Sequence, residues 1–270
     1  MRYIIAYSGG HSSALAAIET VRKYGKNNVV LLNHNISSEV EHEDIKRFKK
    51  EVAAYLGLKV TYANMKGWRE KTPLRVCREL GAFKVGNGQA LCTYYLKTAP
   101  FHEWLKDNFP TRGAEVRNDV CIVYGFDENE KHRIQRRIGV LSLMGYKSDY
   151  PLALWDRTIF NTENIGIKRP VTYKLFRHAN CIGCLKAGKQ QWYLVYCLFP
   201  YLWDEAKETE KEIGYSILKQ GFLEDFESEF EEMKAKGICP SEKVPPAKFW
   251  SMVAREMPGQ VSMLPCECAL

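Results

Sequence analysis

Residues Tyr3 to Ala17 read YIIAYSGGHSSALAA, and this stretch decides the fold. The apolar run Tyr3–Ala6 has the length and composition of a buried strand. The turn Ser8-Gly9-Gly10-His11-Ser12-Ser13 interrupts it, and the alanine and leucine residues that follow favour a helix. A strand ending in two glycines lets the backbone turn sharply, so successive N–H groups converge on one concavity at the positive end of the next helix. Such a turn is a phosphate cradle, to which Ser8, Ser12 and Ser13 add hydroxyls. The spacing excludes a Walker loop, because no Gly-Lys-Ser/Thr follows, and it is not G-x-G-x-x-G. A serine and glycine turn that only caps a helix is the competing reading.

Working outward, Val29–Leu32, Lys59–Tyr62 and Val120–Tyr124 are further short apolar runs that fit buried parallel strands. Between them Ile45, Phe48, Val52 and Leu56 recur at helical spacing among charged residues. The alternation predicts an α/β fold, a doubly wound and mostly parallel sheet with helices on both faces. It places the glycine turn at the carboxyl end of the first strand, where such sheets bind ligands. After about Arg169 the pattern changes. Gln190 to Gly214, interrupted by Pro200, and Phe222 to Lys236 read as helices, and Pro245-Pro246 opens another around Phe249-Trp250. The expected organisation is residues 1–175 as a nucleotide-binding α/β domain and 176–270 as a helical, cysteine-bearing extension.

A chain of 270 residues with 46% hydrophobic and 26% charged residues can bury a full core. No apolar run approaches the roughly 18 residues that span a bilayer, and the amino terminus lacks the pattern of a signal peptide. The expectation is a cytoplasmic protein with no membrane partner. The net charge of +7 is spread along the chain and suits an anionic partner, either a nucleotide or a nucleic acid. Nine cysteines, an odd number, argue against a disulfide framework and for metal ligation or thiol chemistry. Cys181-Ile-Gly-Cys184 has the gap that turns two thiolates toward one metal. Thiolates take zinc or an iron–sulfur cluster, and spacing does not separate the two. Cys77, Cys121, Cys197 and Cys239 read as small buried hydrophobes.

The turn Ser8-Gly9-Gly10-His11-Ser12-Ser13 resembles the PP-loop, SGGxxS, of the adenine nucleotide α-hydrolase-like superfamily, with Ser12 where the commonest form has Asp. Cys92-Thr93-Tyr94-Tyr95-Leu96-Lys97, followed by Pro100, resembles the Cys-Thr-x-x-Leu-Lys-x-x-Pro segment of phosphoadenosine phosphosulfate reductase-like proteins. Cys181 lies 89 residues after Cys92, similar to the separation in iron–sulfur adenylylsulfate reductases, with Thr93 where those have a second cysteine. The resemblance implies a Rossmann-like nucleotide fold in which Ser8, Gly9, Gly10, Ser12 and Ser13 hold phosphate. His11 is either an imidazole donor to it or a loop histidine facing solvent. Asn33 and His34 fall where relatives contact adenine or ribose. Gly125, with Arg133 and Arg137 beyond it, resembles the segment that lines the nucleotide site, and Lys97 is the candidate for a phosphate or sulfate contact.

The same resemblance implies that Cys92, Cys181 and Cys184 hold a [4Fe–4S] cluster or zinc, with Cys266 or Cys268 as fourth ligand. Alternatively Cys268, preceded by Glu267, is the catalytic thiol that attacks sulfur, although Ala269-Leu270 stands where Gly-His follows in reductases. Three functions compete. The first is reduction of adenylyl sulfate or its 3′-phosphate with a thiol reductant. The second is ATP-dependent thiolation of tRNA or DNA using a sulfur donor protein and a cluster. The third is a non-catalytic nucleotide- or zinc-binding module. A homo-oligomer is open in each.

Overall fold

Five short strands pair side by side in a computed structural model that describes residues 1–86, 88–111, 115–179 and 181–258. They are β1 (Arg2–Ala6), β2 (Val29–Asn33), β3 (Val60–Tyr62), β4 (Val120–Val123) and β5 (Lys147–Asp149), in the order β3-β2-β1-β4-β5. All four pairings are parallel, with Tyr3 opposite Val29 on one side of β1 and opposite Cys121 on the other. The expected strands are present to within about one residue at each end, a normal margin for such boundaries. The fifth, β5, has no apolar pattern in its Lys-Ser-Asp sequence. It is an edge strand, held by its backbone ladder to β4.

The connecting helices cover both faces. Helix α1 (His11–Tyr24) and helix α2 (Glu43–Tyr55) lie on one, where Ala14, Ile18, Phe48 and Val52 meet Tyr3, Ile5, Leu31 and Val123. Helix α3 (Pro73–Leu80) and the short α4 (Leu91–Thr93) follow β3. Helix α5 (Ala99–Asn108) and helix α6 (Lys131–Leu143) supply Phe101, Leu105 and Leu141 to the other face, against Ile4, Leu32, Val120 and Ile122. Each large apolar side chain buried this way stabilises the fold by about 1.5–3 kcal/mol. Helix α2 starts where its sequence implies: His42 is the N-cap, its ring accepting from the Asp44 N–H at 3.1 Å, and Glu43 and Asp44 complement the dipole.

The remaining helices are α7 (Pro151–Leu154), α8 (Lys189–Leu198), α9 (Pro200–Ile213), α10 (Glu227–Ala235) and α11 (Pro246–Glu256). Pro200 separates α8 from α9 because it has no N–H for a continuous ladder. The chain divides into two compact units, Met1–Glu70 with Tyr94–Thr172, and Lys71–Thr93 with Tyr173–Leu270. The boundary expected after residue 175 falls three residues earlier. Residues 71–93, expected in the first domain, belong to the second unit, where Arg78 Nη2 donates to Thr209 Oγ1 at 3.0 Å and Arg75 pairs with Glu205 at 3.7 Å. Arginines on α3 therefore meet acceptors on α9, a pairing that linear order conceals. No described helix is long and apolar enough to cross a membrane.

Candidate nucleotide site

The strand order reverses direction around β1, whose neighbours β2 and β4 lead into connections on opposite sides of the sheet. At such a switch point the loops after adjacent strands part and leave a crevice at the carboxyl edge. The loop Ser8–Ser13 lies there. Ser8 Oγ donates to Ser13 Oγ at 3.1 Å, Ser13 Oγ donates to the Gly10 carbonyl at 2.8 Å, and the Gly10 N–H donates to Ser8 Oγ at 3.3 Å. The serines thus brace the turn from within. Gly10 is the N-cap of α1 and offers no capping side chain. The helix start keeps its partial positive charge available to an anion.

Two glycines are dictated by contact. Gly9 has φ +83°, and a Cβ there would stand 2.6 Å from Lys49 Cγ and 2.7 Å from Lys49 Cδ. On Gly125, just past β4, a Cβ would meet the Ser12 carbonyl oxygen at 2.5 Å and the Ser13 nitrogen at 2.9 Å. The segment after β4 is therefore pressed against the first turn of α1, and Gly125 joins the loop.

Beneath the loop is an ion pair that the sequence reading missed. The Lys49 side chain is 1% exposed, and its ammonium lies 3.0 and 3.1 Å from the two Glu41 carboxylate oxygens and 3.3 Å from Asn33 Oδ1. Burial pulls the Lys49 pKa below its ordinary value, and Glu41 opposes that shift. The Asn33 amide also donates to the Tyr7 carbonyl, and the Tyr7 hydroxyl donates to the Lys49 carbonyl at 3.1 Å. Asn33 is 2% exposed with both ends of its amide engaged inside the protein, so it braces the loop from behind. Glu41, two residues before the start of α2, is the partner of Lys49. The available signal was Lys49 itself, four residues after Ile45 on the apolar face of α2.

His34 ends β2 half-buried, its Nδ1 against the Ala63 carbonyl and its ring edge-on to Phe101. Burial first, and then the nearby Lys97 ammonium, lower its pKa. Lys97 also acts on Lys49, so the structure brings Lys97, His34 and the floor of the loop into one electrostatic neighbourhood. Lys97 lies in a π-helical turn, Tyr94–Thr98, a rare geometry that is frequent at functional sites. Arg133 and Arg137 flank a stack of Tyr124, Phe126 and Tyr150. Arg133 is paired with Glu130 and lies 4.2 Å over Phe126, while Arg137 lies 5.2 Å over Tyr124.

His11 is the first residue of α1, and its Nε2 accepts from the Thr162 N–H at 3.3 Å. The acceptor role puts the ring proton on Nδ1. Burial, followed by the positive charge of Arg169, pushes its pKa down to about 4, so the ring is neutral at pH 7. It is tied into the protein rather than turned to solvent. Arg157 and Arg169, which also act on it, drew no notice in the sequence.

Apart from Cys121, the described thiols belong to the second unit. Cys77 is 0% exposed and hydrogen-bonds to Cys92, which drives its pKa strongly upward, with burial adding to the effect. Its reading as a small buried hydrophobe holds, with a thiol partner besides, whereas Cys239, read the same way, is exposed. Cys181 and Cys184 are half-buried, with the Gly183 turn next to Trp192. Among the described residues no three His, Cys, Asp or Glu side chains are grouped as metal ligands. Cys266 and Cys268 lie outside the described residues. Cys121 behaves as expected in β4, its thiol pushed up to about 12 by burial.

No protein-family model matches the chain, and no curated protein or solved structure shows significant similarity to it.

Proposed function

We propose that the chain binds an adenine nucleotide over Ser8–Ser13 and acts on sulfur, as a sulfonucleotide reductase-like enzyme of the PP-loop kind. The observation that carries the reading is the contact of Gly125 with Ser12 and Ser13. It joins two segments that the same resemblance singles out, at the switch point of a parallel sheet. In this reading the first-turn amides of α1 and the loop serines hold the α-phosphate, and Lys97 neutralises charge beside it. The Cys268 thiolate attacks the sulfur of adenylyl sulfate. An S–S bond forms, the S–O bond breaks and AMP leaves, so the enzyme carries a thiosulfonate. A dithiol reductant then releases sulfite, and its two thiols become a disulfide.

Calorimetry with AMP, ATP, adenylyl sulfate and its 3′-phosphate tests the reading. Binding of at least one of them, lost in Gly125→Val, is the expected result. No heat with any of the four would overturn it.

A second reading, thiolation of a nucleic acid, is favoured by helix α6. Its amino-terminal half carries Lys131, His132, Arg133, Arg136 and Arg137 and the helix has no acidic residue, an arrangement that opposes the helix dipole. Salt-dependent RNA or DNA binding that is lost on Lys131→Glu/Arg136→Glu would support it, and unchanged binding would discard it.

A further inference from the structure

A strap of chain, residues 157–169, runs beside helix α1 and is fastened to it through Thr158, Ile159 and Thr162. The buried Glu19 carboxylate accepts from the Thr158 N–H at 2.6 Å, the Thr158 hydroxyl at 3.0 Å and the Ile159 N–H at 2.9 Å. Arg22 donates to Thr158 Oγ1 at 2.7 Å. Toward the amino end of α1, the Thr162 N–H reaches His11 as described above. The strap is therefore held from Glu19 and Arg22, the ninth and twelfth residues of α1, back to His11, its first residue.

Two polar atoms in the strap are left without partners. Thr162 is 0% exposed and its Oγ1 has no hydrogen bond, and the Arg157 Nε is likewise buried and unpartnered. Leaving a buried donor unmet is unfavourable, so native proteins keep few such groups. Thr162 is bonded to His11 at the positive end of α1, and the charge of Arg157 acts on the same ring. Among the described residues Arg157 has no carboxylate partner; its guanidinium lies 4.7 Å over Phe160 and donates to the Ile159 carbonyl at 3.4 Å. Arg169, by contrast, is paired with Glu163 at 2.9 Å. The uncompensated cation and the unmet hydroxyl ask for the same thing, an oxyanion.

We propose that the strap is a second wall of the nucleotide site, and that the Thr162 hydroxyl and the Arg157 guanidinium bind the anionic group beyond the α-phosphate. That group is a tetrahedral oxyanion, either phosphoryl or sulfonyl. The inference rests on the nucleotide reading of Ser8–Ser13. The loop serves the α-phosphate, and the strap distinguishes nucleotides that carry a further anion from AMP. Neutral His11 suits the junction, since its hydrogen bond to the strap survives without adding charge.

The test is calorimetry of the full chain with AMP, ADP, ATP and adenylyl sulfate, together with thermal unfolding, for the natural protein, Thr162→Val and Arg157→Gln. The natural protein is expected to bind ADP and ATP, or adenylyl sulfate, about tenfold or more tightly than AMP, equivalent to about 1.4 kcal/mol. Preference among the three identifies the group as phosphoryl or sulfonyl. Both variants are expected to shrink that preference to within about threefold. Thr162→Val, which removes an unpaired hydroxyl at nearly constant volume, should melt no lower than the natural protein. A preference that persists in both variants overturns the inference, as does a Thr162→Val protein that melts lower. If the natural protein binds no adenine nucleotide at all, the functional reading itself fails. If it binds AMP as tightly as the others, only the strap inference fails.

Discussion

Gly9→Ala measures how firmly the phosphate loop is tied to the buried ion pair below it. Gly9 holds φ +83°, a region that costs an ordinary L-residue about 1–2 kcal/mol. The new methyl would also stand 2.6 Å from Lys49 Cγ, so one of them must move. Lys49 is a flexible side chain in general but not here, because Glu41 holds its ammonium at 3.0 Å in the interior. Full rupture of a buried pair costs about 3–5 kcal/mol. Lifting the loop is the cheaper response, so strain and partial displacement together come to about 3 kcal/mol. Gly166→Ala is the control: φ is +79° there too, but a Cβ would meet nothing within 4 Å, so only the strain of about 1–2 kcal/mol applies. Urea unfolding of both variants gives the difference directly. Equal losses, within about 0.5 kcal/mol, would refute the coupling of loop to floor. Nucleotide affinity should fall in Gly9→Ala.

Three further outcomes are expected. Lys49→Met and Glu41→Gln should each destabilise the protein by about 3–5 kcal/mol, and the double variant should lose clearly less than the sum; additive losses in denaturant unfolding would show that the two groups do not act as a pair. Gly125→Ala should push the Ser12 carbonyl away and cost about 2 kcal/mol along with nucleotide affinity, since backbone cannot swing aside as a side chain can; a full-affinity variant would separate the two segments. Acid should act through His11: its pKa is about 4 folded against 6.5 unfolded, so the unfolded chain takes up the proton first. Its stabilising contribution is complete above pH 6.5 and is lost as the pH falls toward 4, by about 1–2 kcal/mol after allowance for solvent screening. His11→Gln should flatten that part of the stability profile, and an unchanged slope would assign the acid sensitivity elsewhere.

Most of the site's frame was legible because it is written locally. The loop needs only a strand end, two glycines and a helix start within a few residues, and Gly125 follows an apolar run that could only be a strand. Asn33 was placed correctly at the end of β2, but the direction of its amide depends on Lys49, sixteen positions later in the chain. Lys49 reads as one charge among many on α2. Its place on the apolar face hints at burial, and the cover that Gly9 lays over its stem and the Glu41 partner appear only in the fold. Thr162 and Arg157 carry no motif at all, and they gain meaning from the anchor that Glu19 provides.

The sequence by itself determined the parallel α/β core, four of its five strands and the glycine turn that leads β1 into α1, since apolar periodicity and glycine turns act over a few residues. Tertiary structure decided what distant segments do to one another. It set β5 on an edge through backbone pairing alone and assigned residues 71–93 to the second unit through α3 and α9. It also paired Cys77 with Cys92 and closed the strap over α1. The physical reason is that local pattern reports which side of an element is apolar. The hydrogen bonds and ion pairs that choose its neighbour form only once the chain has closed on itself.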